Sequence, residues 1–346
     1  MKPRRFPFPL HPLFPSSPLP LLFFSLLLLF VLNSGCNSCT NNGKPKIVAD
    51  RVRIKDYGKA LFSLDTLNLQ QGLISISNEY SFFTGNNPDT ASVAQIRDFI
   101  NDPFNRDLFE RYEQAYPDLA FLEKELSSTF SLIKAEKPGF ATPDVYTYVS
   151  GLLYELPVSY LDSVLIIGLD MYLGSDFGLY RAAGLPLYMV RRMDREYIVP
   201  ECARQVAFYM LPDKMHTKTF LDQMILHGKI LYAMDKFLPN TADSIKIGYT
   251  ANQLEWCKAN EKEVWMLFID QEMLYRTDAF LLSRFIQDGP FTSGLPEGSP
   301  AMLGRWIGWQ IVRSYMQNHP DADLRQLLEL DDAQKILSLS GYKPKK

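Results

Sequence analysis

The residues in this 346-residue chain best suited to chemistry are its few histidines and some clustered carboxylates, and their spacing excludes most familiar sites. Beyond residue 35 the histidines are His216, His227 and His319. A zinc hydrolase sets two imidazoles one helical turn apart so that both rings reach one ion. None of these three has a histidine four residues away. A Gly-x-Ser-x-Gly elbow, a phosphate-cradling glycine loop ending in Lys-Ser/Thr and a dinucleotide fingerprint are also missing from the sequence. These features imply no metal and no cofactor, and they assign no catalytic residue.

The remaining candidates lie on segments with helical periodicity. Phe220, Met224, His227, Leu231, Met234 and Leu238 form one apolar stripe, which predicts a helix over 219–238. His227 in mid-stripe reads either as a core imidazole or as part of a cleft. Gly228 beside it costs a helix about 1 kcal/mol, which implies close approach of another element. Lys229 is either a solvated helix residue or a cation entering a cleft. Farther on, Glu261, Trp265, Phe268 and Glu272 share a helical face. Two carboxylates act as acid and base only where they converge on a substrate. Glu261 and Glu272 would lie about 16 Å apart along one helix, so ion pairing is the expected role. Gly304 and Gly308, flanked by Arg305, Trp306 and Trp309, read as tight helix packing. Were Arg305 and Trp309 exposed together, they would instead anchor an interface. His227, Lys229, Glu261, Trp265, Arg305 and Trp309 are therefore the candidate cleft or interface residues.

The most informative cysteine is Cys36. Lys2, Arg4 and Arg5 give a positive start, a proline-rich stretch follows, and the apolar run from Leu21 to Leu32 has the length of a signal-peptide core rather than a membrane span. Asn33-Ser34-Gly35-Cys36 then puts small residues just before a cysteine, the arrangement cut by lipoprotein signal peptidase once the thiol carries diacylglycerol. Asn33 stands where a lipobox usually has Leu, and Cys39 is the weaker alternative acceptor. Residues 1–35 are read as a signal peptide, 36–46 as a lipidated tether and 47–346 as one globular domain, with secretory cleavage without a lipid and a retained membrane anchor as the competing readings. The acyl chains would hold that domain on a membrane.

Removing the leader lowers the formal net charge from −3 to −6, and no basic cluster stands out, so nucleic acid is not an expected partner. About 310 residues suffice for a large core. Cys202 and Cys257 could pair in an oxidising compartment, but both lie in stretches read as helices, where buried free thiols are common.

The elements that must position these side chains follow from periodicity and turn signals. Ile47 to Leu64 alternates like a first strand. Residues 91–135 are helical, and Val145–Val149 and Ser163–Leu169 read as strands. The second of these, apolar on both faces, belongs inside a sheet. Helices are expected at about 186–193, 199–211 and 219–238. A long helical region should run from a capping box at Thr250 to about Gln287, another helix from a Ser299-Pro300 start to Asn318, and a last one from Asp323 to Leu339. The fold class is α+β, predominantly helical.

Several of these segments together resemble one family. They are Tyr172-Leu173-Gly174; Met224-Ile225-Leu226-His227-Gly228-Lys229-Ile230-Leu231-Tyr232; Lys246-Ile247-Gly248-Tyr249-Thr250 with Gln253 and Trp256; Asn260-Glu261 with Trp265; Gly308-Trp309-Gln310-Ile311-Val312-Arg313 with Tyr315-Met316; and Tyr342-Lys343-Pro344-Lys345. In this order, over about residues 50–346, they resemble the gliding motility-associated lipoprotein GldB family of Bacteroidetes. The resemblance implies a cell-envelope lipoprotein with partners in the gliding or secretion machinery. It also implies a remote likeness to zinc metallopeptidase-like domains. Gln223 and His227 would then stand at the two metal-histidine positions of a degenerate zincin whose first ligand is missing.

Three functions are compatible with these readings. One is a non-enzymatic envelope lipoprotein working through protein contacts. Another is a peptidase-like hydrolase with Glu261 or Glu272, His227 and Lys229 in one cleft. The third is a periplasmic ligand-binding lipoprotein. The residues after Cys36, Asn37-Ser38-Cys39-Thr40, lack the acidic run associated with surface export in this phylum, so the anchored domain is expected to face the periplasm.

Overall fold

The computed structural model describes residues 51–344 other than Asn86, Asn87, Asp162 and Glu297; the leader, Cys36 and the tether at 36–46 lie outside the described residues. The first strand, Ile54–Asp56 (β1), is much shorter than the alternation at 47–64 implies. It stops because the Asp56 carboxylate accepts the Lys59 N–H at 2.9 Å and starts the helix Tyr57–Phe62 (α1). Four helices follow: Leu69–Thr84 (α2), Thr90–Asn101 (α3), Pro103–Ala115 (α4) and Ala120–Glu136 (α5). Asp89 and Asp102 cap α3 and α4, and Pro103 stands in the first turn of α4.

Asp144–Tyr148 (β2), Val158–Leu161 (β3) and Val164–Gly168 (β4) complete a four-stranded sheet of order β1-β2-β4-β3. β1, β2 and β4 are parallel, and β3 runs antiparallel to β4. β4 is interior, as its two apolar faces require. Its Leu165 and Ile167 join the main core together with Val145, while Ile166, Tyr146 and Tyr148 face a smaller core under α1, α2 and α3. Just beyond β4, the fully buried Asp170 carboxylate accepts the backbone N–H groups of Ser150 and Leu152 and the Ser150 hydroxyl, at 2.8–2.9 Å. These bonds hold the β2–β3 loop, where Leu152 adopts a left-handed φ of 61°.

The second half is helical: Gly178–Ala182 (α6), Leu187–Val190 (α7), Ile198–Tyr209 (α8), Phe220–Phe237 (α9), Asp243–Ile247 (α10), Ala251–Ala259 (α11), Glu261–Asp270 (α12), Ala279–Phe285 (α13), Leu303–Asn318 (α14), Leu324–Glu329 (α15) and Ala333–Ser340 (α16). The fold is thus α+β and predominantly helical. Two long helical stretches expected from periodicity are interrupted, and a third helix starts late. The region after Thr250 breaks at Asn260, whose amide donates to the Trp256 carbonyl at 2.8 Å. It breaks again after Asp270, because the Leu274 and Arg276 carbonyls turn back to accept the first N–H groups of α9 at 2.8 Å. α14 starts at Leu303 and not at Ser299-Pro300: the Thr292 hydroxyl and Tyr249 hydroxyl bond to the carbonyls of Pro300 and Ala301, and Met302 takes a left-handed φ of 59°. The last stretch divides into α15 and α16 around Leu330.

The centre of the helical half is the crossing of α9 and α14. A Cβ at Gly228 would lie 2.4 Å from the Gly308 carbonyl oxygen, and one at Gly308 would lie 1.9 Å from the Met224 carbonyl oxygen. Both glycines are required because the two backbones touch. Beside the crossing, Arg313 of α14 donates two bonds of 2.8 Å to Asp235 of α9 and two of 2.7–2.9 Å to Asp243 of α10. Lys246 and the Trp309 indole also donate to Asp235, at 2.9 and 3.0 Å, and the Arg313 guanidinium stacks 3.8 Å over the Trp309 ring. Two cations thus face two carboxylates. Burial opposes charge on Asp243 and Arg313, yet the bonds between them hold the carboxyl below its usual range and push the guanidinium above its own.

Substituting Gly308 with Ala drives a methyl group into backbone, where no rotamer change relieves it. Denaturant unfolding should show Gly308→Ala losing about 3 kcal/mol, the upper end of the overpacking range. Gly139→Ala, which meets nothing within 4 Å, should stay within about 0.5 kcal/mol of the parent. Equal stabilities for the two variants would refute the backbone contact.

Candidate functional site

The six candidate residues do not form one site. Trp309 is fully buried, with its indole committed to Asp235, so it is core rather than an exposed interface anchor. The helical stripe of α14 that carries Gly308 against α9 also turns Trp309 inward. Lys229 is buried and donates to the Leu330 carbonyl at 2.6 Å and that of Leu328 at 3.4 Å, so its ammonium satisfies the C-terminal end of α15. Burial pushes its pKa down to about 8. Glu261 accepts the Tyr342 hydroxyl at 3.0 Å, and Trp265 meets the same tyrosine edge to face at 5.4 Å. Glu272 is exposed beyond the end of α12 with a φ of 51°, so it shares no helical face with Glu261.

His227 and Arg305 do come together. They line a cleft of two lobes, of about 180 and 270 Å³, whose common wall is Arg204, Gln205 and Arg305. Each wall has a local cause. Tyr172 follows β4 and donates to Glu201 on α8. One turn on, Arg204 projects from the same helix and donates to the Lys246 carbonyl. Arg192 lies just past α7 and pairs with Asp288; it passes Gly248, where a Cβ would lie 2.8 Å from the Arg192 Nη1. Gly248 ends α10 with a φ of 82°, a conformation glycine tolerates best. Arg305 comes from the first turn of α14, and its Nε donates to the Ile286 carbonyl at 2.6 Å.

The smaller lobe is lined by Tyr172, Glu201, Arg192 and Asp288 among others. The larger lobe is lined by Arg204, Gln205, Phe208, His227, Ile230, Leu231, Ile247 and Arg305. Burial first, then repulsion from Arg204, pushes the Arg305 guanidinium down to about 10. Burial also lowers Arg204. Burial, with Arg305 and Arg204 adding to it, holds the His227 imidazole well below its ordinary value of 6.5.

Arg192, Arg204 and Glu201 were not singled out from the sequence, and Tyr172 entered only in a segment that carries the family resemblance. One signal was available: Arg204 stands four residues after the buried Pro200 and three before the buried Ala207, placing a cation on the apolar stripe of α8. Arg192 offered none, since its role depends on contacts far along the chain. Cys202 and Cys257, which could have paired, are separate buried thiols. Nothing in the geometry of the described residues supports the zincin analogy. Gln223 donates to the Thr217 carbonyl at 2.7 Å, and no group of three or more His, Cys, Asp or Glu among the described residues could hold a metal ion.

The fold and site define a predominantly helical α+β protein with a cationic cleft between α8, α9 and α14. A family profile described as gliding motility protein GldB matches residues 40–344, most of the chain. The chain belongs to that family, a family of gliding motility lipoproteins, as the sequence resemblance implied. No curated protein and no solved structure is significantly similar to it.

A neutral buried imidazole links stability to pH. Because the folded pKa is depressed, stability from His227 is present above the unfolded value of 6.5 and declines as pH falls below it, where only the unfolded chain takes up the proton. Arg305→Gln removes one of the repelling charges and should raise the His227 pKa in an imidazole NMR titration. An unchanged titration would show that Arg305 does not act on the ring.

Proposed function

We propose that this chain is anchored through a diacylglyceryl group on Cys36, faces the periplasm, and serves gliding or a related envelope or secretion process by contacting envelope proteins rather than by catalysis. Family membership over residues 40–344 is the observation that carries this reading. The use of the ionisable residues supports it. Lys229, Glu261, Asp235 and Arg313 are all engaged in joining one element to another, and a hydrolytic group of Glu261, His227 and Lys229 is not assembled. With Trp309 buried, the surface offers other anchors. Tyr275, Phe280 and Phe291 are exposed before, on and after α13, Phe280 by 71%. Exposed aromatic side chains of this size are apt contact residues.

Two measurements test the reading. Mass spectrometry of the native protein should find an acylated N-terminal Cys36. Cys36→Ser should release the chain from the membrane fraction and abolish colony spreading, or secretion where the cell does not spread. Phe280→Ser combined with Phe291→Ser should abolish crosslinking to envelope partners while leaving the thermal midpoint within a few degrees of the parent. An unacylated, freely soluble native protein would sink the anchor. Undiminished crosslinking would sink the contact surface.

A further inference from the structure

The larger lobe of the cleft has an unbalanced charge. Among the described residues its only charged side chains are Arg204 and Arg305, and no carboxylate lines it. Neither arginine has a carboxylate among the described residues within ion-pair distance, in contrast to Arg192, which Asp288 meets directly; Glu201 and Asp288 act on Arg204 and Arg305 only from farther off. Tyr172 engages the Glu201 carboxylate, which lines only the other lobe. Donors also remain unused. The Arg204 Nε is buried without a hydrogen-bond partner. Arg305 donates only through Nε, to the Ile286 carbonyl, which leaves both terminal nitrogens free to point elsewhere. Two half-buried guanidinium groups brought together without a carboxylate in contact are costly in isolation and favourable around an anion. The rest of the lobe is Gln205, the neutral His227 and an apolar wall of Phe208, Ile230, Leu231 and Ile247. Phe208 is 58% exposed at this lobe.

We infer that the larger lobe binds a phosphate group, held between Arg204 and Arg305, with any apolar portion of its carrier lying along Phe208, Ile230 and Leu231. Phosphate is favoured over a simple carboxylate on charge and shape. It carries about −1.5 to −2 as a monoester at pH 7, matching two unpaired cations, and it has enough oxygens for two guanidinium forks and a third donor from Gln205 or His227. The phosphate can be free or part of a lipid headgroup, and the apolar wall gives the second a foothold that the first does not need.

The test is calorimetric titration of the full chain in neutral detergent with inorganic phosphate, short-chain phosphatidic acid, short-chain phosphatidylcholine and hexanoate. Saturable binding of inorganic phosphate, of phosphatidic acid, or of both is expected, and the pattern distinguishes the two sources. Arg204→Gln and Arg305→Gln should each weaken that binding at least tenfold. Phe208→Ser should weaken only phosphatidic acid. In the unmodified protein, bound phosphate should raise the His227 pKa by NMR, a readout independent of whether any variant folds. Absence of saturable binding by both phosphates, equal binding of hexanoate, or unchanged affinity in both arginine variants would overturn the assignment.

Discussion

Two backbones in direct contact organise the helical half of this protein. Where α9 and α14 cross, Gly228 and Gly308 remove every atom that would separate the chains. The consequences radiate by helical spacing. One residue from Gly228 is His227, and three residues before Gly308 is Arg305, so the crossing puts an imidazole and a guanidinium into the same lobe. One residue after Gly308 is Trp309, and one turn farther is Arg313, so the other side of the same crossing becomes the charged joint with Asp235, Asp243 and Lys246. A closed ion-pair network and an open cationic cleft are thus two sides of a single close approach.

The contrast between these two sides is instructive. Around Asp235, two cations and two carboxylates satisfy one another through charge-assisted bonds, an arrangement that fixes helix register while leaving little for a ligand. Around Arg204 and Arg305, the cations are held by backbone carbonyls, which orient a guanidinium without neutralising it. The same residue type is therefore structural in one place and receptive in the other, and the nature of the acceptor makes the difference.

Much of the frame was legible in the sequence because it rests on local rules. The capping box at Thr250, the interior strand from two-faced apolarity and the glycine-mediated approach all depend on neighbours within a few residues. What escaped depends on distant partners. The break beyond Asp270 arises because residues 274–276 serve the start of α9, and the delayed start of α14 because Thr292 and Tyr249 capture the preceding carbonyls. β3 and α2 were missed because short or serine-rich segments carry weak periodicity. At the site, Arg305 was found through its glycine neighbours and His227 through the apolar stripe in which it stands. Arg192 and Arg204 were not, since their meaning comes from elements that fold against them.

The Tyr342–Glu261 bond and the Trp265 ring beneath it bind the end of the chain to α12, while the Ser340 carbonyl accepts from Ser314 and Asn318 of α14. α16 therefore serves as a latch over helices made much earlier in synthesis. A polypeptide emerging amino end first must hold α9 and α14 without that cover until α16 follows. The time before that closure, as much as the strength of any one contact, sets how long the apolar faces of α9 and α14 stand open to other chains.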